Sequence, residues 1–102
     1  MQIGIDVGAT KIESVVLEKN GEEKHRSRID CPKDYLKIIS VIKDINQKLE
    51  KEFKMELPIG VCHPGIHSPQ TGLVKNAPNC YWLEKKPFQN DLRKALGKEV
   101  FC

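Results

Sequence analysis

The chain has 102 residues, enough for one domain or one lobe with a real core but short for an enzyme that must enclose two substrates between lobes. Its formal charge of +3 is small, and bases and acids interleave, as in Glu22-Glu23-Lys24 and Lys48 to Glu52, which reads as a solvated surface and excludes a nucleic-acid footprint. With no apolar run of membrane length and no leader-like segment at its start, the sequence points to a cytoplasmic, reduced protein with neither membrane nor nucleic-acid partners.

Ile3, Ile5 and Val7 alternate with small or polar residues, which predicts a strand entering a sheet, and Asp6 stands where that strand gives way to a turn. In the turn, Gly8 lets backbone N–H groups approach a phosphate, Thr10 offers a hydroxyl and Lys11 a point charge. Asp6 offers a hard oxygen for a magnesium ion or its waters. Ile12 to Leu17 then reads as a second strand. Because a strand and not a helix follows the turn, this is neither a P-loop nor a dinucleotide fingerprint, and a plain hairpin capped by Asp6 is the competing reading.

Asn20-Gly21 signals a tight hairpin, and Glu22 to Ile29 fits a third, more exposed strand. From about Asp34 to Lys54, the residues Tyr35, Ile38, Ile42, Ile45, Leu49 and Phe53 recur at helical spacing, so a long amphipathic helix should pack its apolar stripe on the sheet. Leu57 to Cys62 reads as a buried strand returning beside the first, and the helical connection makes that pair parallel. His63 to Gly72 looks too irregular for an element, but it lies past the carboxyl end of a strand, where ligands gather in open α/β sheets.

Leu73-Val74-Lys75 predicts one more short strand, followed by the polar loop Asn76 to Trp82. Pro87 opens a second helix through Leu96, with Gly97 as its C-cap, and Val100-Phe101-Cys102 begins another strand. Cys31, Cys62, Cys80 and Cys102 have neither metal-ligand nor redox spacing and read as buried free thiols. By spacing alone His25, His63 and His67 form no ligand cluster, and Asp91 falls among exposed polar residues of the second helix.

Four segments in this order, Gly4 to Lys11, Gly60 to Gly65, Ser68 to Val74 and Asn76 to Trp82, together resemble the N-terminal lobe of the ROK family of sugar kinases. The resemblance covers essentially the whole chain. Lys75-Asn76-Ala77, Trp82-Leu83 and Pro87-Phe88 look most similar to the fructokinase branch, with N-acetylglucosamine kinases and glucokinases next. It implies an actin-like, ribonuclease-H-like α/β lobe that pairs with a C-terminal lobe around ATP, Mg2+ and a hexose, in a protein that is a homodimer when complete. Phosphoryl transfer between such ligands is mainly positioning and electrostatics.

By the resemblance, Asp6, Gly8, Thr10 and Lys11 belong to the first phosphate motif, in which Gly8 and Thr10 face the ATP phosphates and Asp6 the metal, and Ala9, in the same cofactor-binding turn, stands where the family more often has Gly. Gly65, Asn76 and Asn79 fall in the sugar-facing loops, where amides can donate to and accept from hydroxyls. Trp82 reads as core ahead of a sugar wall. His63 reads as a hydrogen-bonded loop residue ahead of a sugar-contacting or pH-sensitive group.

The family takes its catalytic base from an Asn-Asp-Ala-Asn motif after the strand that Val100 begins, and neither that motif, nor the second lobe, nor the zinc-binding motif of complete proteins is in this sequence. None of the four cysteines is assigned to that zinc site. The expectation is therefore an N-terminal lobe, truncated before the catalytic Asp, that does not phosphorylate sugar alone. A non-catalytic sugar- or nucleotide-binding or assembly module is the alternative. The family's repressors carry a DNA-binding helix-turn-helix ahead of the lobe, whereas here the first strand begins by Gln2 or Ile3, which argues against that role.

Overall fold

Alternation places Ile3, Ile5 and Val7 of the first strand β1 (Gln2–Val7) on one buried face, and Gln2, Gly4 and Asp6 on the other. The computed structural model describes all 102 residues. Strand β2 (Lys11–Leu17) runs antiparallel to β1 and buries Ile12, Ser14 and Val16 toward the same core. Strand β3 (Glu23–Asp30) pairs antiparallel with β2 and buries no residue, so it is held by its ladder and by surface charges, Arg26 bonding Glu13 and Glu23. The β2–β3 connection is wider than a two-residue hairpin. Glu18 N–H donates to the Glu22 carbonyl (2.8 Å), Gly21 takes φ 85°, and the ladder shifts register between Val16 and Leu17.

Helix α1 (Tyr35–Phe53) starts at Asp34, whose carboxylate accepts the Lys37 N–H at 3.0 Å, and stops where Lys54 turns left-handed. It buries Ile38, Ile42 and Leu49, all at most 3% exposed, each worth on the order of 1.5–3 kcal/mol of burial. Across α1 the chain returns as β4 (Ile59–Cys62), parallel to β1, giving the order β3-β2-β1-β4. Phe101 extends that parallel arrangement by a bridge to Gly60, with Val61 N–H donating to the Phe101 carbonyl at 2.7 Å.

Between β4 and the second helix, the sequence predicts no element over His63 to Gly72, yet Ile66–His67 forms a short strand β5. It pairs antiparallel with β6 (Val74–Lys75). The turn between them is closed by the Ser68 hydroxyl, which accepts the Gln70 and Thr71 amides, and by Gly72 at φ 72°. A 3-10 turn at Tyr81–Leu83 buries Trp82 and Leu83. Helix α2 (Phe88–Leu96) follows Pro87, ends at left-handed Gly97, and inserts Phe88 and Leu92, both fully buried. Sheet, helices and loops share one core cluster of 20 residues. No helix is long and apolar enough to cross a membrane.

Candidate functional site

The carboxyl ends of the parallel strands β1 and β4 lie side by side, with Asp6 the register partner of Cys62, so the loops that follow them open on the same end of the sheet. After β1 the chain reverses tightly into β2. Gly8 N–H donates to the Lys11 carbonyl at 2.8 Å, and a Cβ on Gly8 would approach that oxygen to 3.1 Å, which accounts for glycine there. The Gly8 amide is thus spent on the turn. The amides of Ala9 and Thr10 donate to no protein acceptor, and these are the N–H groups left for an anion. Thr10 is exposed, its carbonyl accepting the Cys31 N–H at 2.8 Å.

Asp6 is exposed and forms no hydrogen bond or ion pair, so its carboxylate can take a hard cation or its waters. It opens on a groove of about 550 Å³ that also involves Gly4, Glu13, Arg26, Gly60 and Phe101, on the sheet face opposite the core. Lys11 does not point freely at this space. Its ammonium is bonded to Asp30 at the end of β3.

In the second loop, Gly65 stands at φ 78°, and an added Cβ would come within 2.4 Å of the Lys75 carbonyl and 3.1 Å of Ala77 Cβ. Close packing of the loop on β6 demands this glycine, whether or not it also faces a ligand. Asn76, at φ 63°, and Asn79 are exposed and their side-chain amides have no protein partner. Gly65 and Asn76 meet through the β5–β6 hairpin. The residue that shapes this loop is Glu84, whose carboxylate accepts the Asn76 amide at 3.1 Å and the Ala77 amide at 2.9 Å. Glu84 is eight residues distant in a stretch of lysines, and no local pattern marks it.

Trp82 is 8% exposed with its indole N–H buried and unpaired, a core residue as expected. His63 is a hydrogen-bonded loop residue, its Nδ1 2.8 Å from the Pro64 carbonyl. Three other readings need correction. Cys31 and Cys80 are buried, but Cys62 and Cys102 are exposed, Cys62 because it alternates with buried Val61 onto the open side of β4. Asp91 is half-buried and accepts the Tyr35 hydroxyl at 2.6 Å, because the first turns of α1 and α2 are packed together. His63 and His67 do come together, with Cys102, since the Pro64-Gly65 reversal folds one imidazole onto the other.

A mixed sheet of this order, with helices packed on it, gives the chain the fold of actin-like α/β lobes. The sequence profile described as "ROK family" matches residues 2–102. The chain belongs to the ROK family. An N-acetyl-D-glucosamine kinase of Histophilus somni is 34% identical over 98% of the chain, which covers 33% of that relative. An inorganic polyphosphate/ATP-glucomannokinase of Arthrobacter superposes with a TM-score of 0.80 at 27% identity, over 97% of this chain and 42% of that one. A ROK glucokinase of Streptomyces griseus, solved with glucose and AMPPNP, superposes with a TM-score of 0.81 at 22% identity, over 98% and 31% of the two chains. The chain spans about a third of the length of the curated relatives it matches.

Proposed function

We propose that this chain is the N-terminal lobe of an ATP-dependent carbohydrate kinase that transfers the terminal phosphoryl group of ATP to a hexose. One observation carries the reading. The unpaired amides of Ala9 and Thr10 follow the uncommitted carboxylate of Asp6 in the turn that leaves β1, at the sheet end where the loop after β4 also begins, in a member of the ROK family. The two amides and the Thr10 hydroxyl would bind phosphate oxygens, and Asp6 would hold Mg2+ or its waters. Mg2+ when bound neutralises the phosphate charge. Asn76 and Asn79 would position sugar hydroxyls.

Two lines of support point to different hexoses. The segments Lys75-Asn76-Ala77, Trp82-Leu83 and Pro87-Phe88 favour fructose, and the names of the curated relatives favour N-acetyl-D-glucosamine. A coupled assay of ADP release by the complete, two-lobed protein, run with fructose, glucose, mannose and N-acetylglucosamine, decides between them. Hexose-dependent ADP release is expected for one or more. No release with any of the four sinks the proposal. The 102-residue chain should turn over none of them, while titration with ATP and Mg2+ should shift the Ala9 and Thr10 amide resonances.

A further inference from the structure

His63 follows β4, His67 ends β5, and Cys102 follows the Phe101 bridge, so three separate pieces of chain converge on one point. One ligand atom from each lies within 4.8 Å of the other two. From this convergence we propose that His63, His67 and Cys102 form a binding site for a single divalent cation of borderline softness, with Zn2+ the best match. Two imidazoles and one thiolate are a donor set that favours such a cation over hard ones, and three protein ligands leave a fourth, open position.

The surroundings prepare the ligands. His63 Nδ1 donates to the Pro64 carbonyl at 2.8 Å, which fixes the tautomer and leaves the ring's lone pair on Nε2. Its ring is pinned edge-on by fully buried Phe88, at 5.5 Å and 87°, and by His67, at 4.7 Å and 74°. His67 Nε2 accepts the Gln89 N–H in a long 3.2 Å bond. A cation taking that lone pair displaces a first-turn amide of α2 that has no helical partner. Arg93, whose charge acts on both His67 and Cys102, is bonded to Glu99 at 2.5 Å, and that carboxylate offsets its repulsion of a cation. On binding, the Cys102 thiol gives its proton to solvent, so uptake of each cation releases one proton.

The site borders the Gly65 loop but does not depend on the sugar-kinase reading, and its test involves neither ATP nor sugar. The reduced, metal-free 102-residue chain is titrated with Co2+. One equivalent should bring a thiolate-to-metal charge-transfer band and visible bands of tetrahedral intensity, and Zn2+ should abolish both. Cys102→Ser, at an exposed position that leaves the fold intact, should remove the charge-transfer band. His63→Asn and His67→Asn should each weaken binding by at least the roughly 10- to 100-fold that loss of an outer-shell partner costs. Cys62→Ser should bind as the unaltered chain does. No band at saturating Co2+, a band that survives Cys102→Ser, or one that vanishes with Cys62→Ser overturns the site.

Discussion

Lys11 is ion-paired with Asp30, its partner across the β2–β3 ladder, so the cation at the end of the β1–β2 turn is tethered to a neighbouring strand. Both side chains are well exposed, at 46% and 88%, and water and salt screen such pairs. Asp30→Asn should therefore leave the melting temperature close to that of the parent and, by releasing Lys11, tighten binding of ATP and Mg2+ at low ionic strength. Unchanged affinity in a calorimetric titration would show that Lys11 does not serve phosphate. The hydrogen bond and charge of Lys11 hold the Asp30 carboxyl below its ordinary 3.8. With the folded value depressed, the pair's contribution is full above 3.8 and fades as pH falls below it.

A second pairing ties the end of α1 to both chain segments beneath it. Glu50 accepts the Leu57 amide at 2.8 Å, the Lys98 ammonium at 3.0 Å and the Asn46 side-chain amide at 3.2 Å. Burial opposes ionisation of Glu50, but these three donors outweigh it and lower its pKa from 4.5. Stability from this group is therefore full above 4.5 and lost as pH falls through the depressed folded value. Glu50→Ala, which strands the buried Leu57 amide, should cost about 1–3 kcal/mol at neutral pH. Urea melts at neutral and acid pH should show the penalty shrinking on acidification. A constant penalty would remove the ionised carboxylate from the account.

Gly65 separates a structural requirement from a functional one. Its φ of 78° disfavours any Cβ, and the Lys75 carbonyl would lie 2.4 Å from one. Left-handed strain of about 1–2 kcal/mol and the added overpacking should make Gly65→Ala costly by about 2–4 kcal/mol without any sugar present. The check is a thermal melt together with amide shifts at Lys75 to Ala77. A variant that melts like the parent but loses sugar binding would assign the glycine to the ligand instead.

These residues also mark what local sequence can convey. The α1 stripe, the Pro87 and Gly97 ends of α2 and the parallel return of β4 were legible because each depends on neighbours within a turn or on strand alternation. The turn between β1 and β2 was legible as residue types, but not as an economy of amides. Its Gly8 N–H is consumed internally, and its lysine is bonded 19 positions away. Glu84 under Asn76 and Ala77, and the meeting of His63, His67 and Cys102, depend on tertiary packing and carry no periodic signal. The two-residue strands β5 and β6 are too short for alternation to declare them, and only Leu73 to Lys75 hinted at the second.

Tyr35 and Asp91 join the first turns of the two helices, the phenol donating to the carboxylate at 2.6 Å. Burial and then the Asp91 bond push the phenol well above its ordinary 10.0. With the folded value raised, the stability it confers is complete below 10.0 and declines as pH rises beyond that. Tyr35→Phe keeps the ring on Phe88 and removes the hydroxyl, so a loss of about 1–2 kcal/mol is expected at neutral pH. In an alkaline absorbance titration of the folded protein, the late tyrosinate step should disappear in this variant. If the late step persists, it does not belong to Tyr35.

Trp82 reports on whether the loop after β6 is core or ligand wall. It is the chain's single tryptophan, 8% exposed, in edge contact with Tyr81 at 5.0 Å. Its indole N–H is buried without a partner, so Trp82→Phe forfeits packing area but no hydrogen bond. That change should cost only about 1–2 kcal/mol, against the roughly 3–5 kcal/mol expected of Trp82→Ala, which opens a cavity. Emission from the parent chain should be blue-shifted and poorly quenched by iodide, and hexose should not alter it. Strong iodide quenching, relieved by hexose, would instead put the indole in the sugar cleft and make its unpaired N–H a hydrogen-bond donor for the ligand.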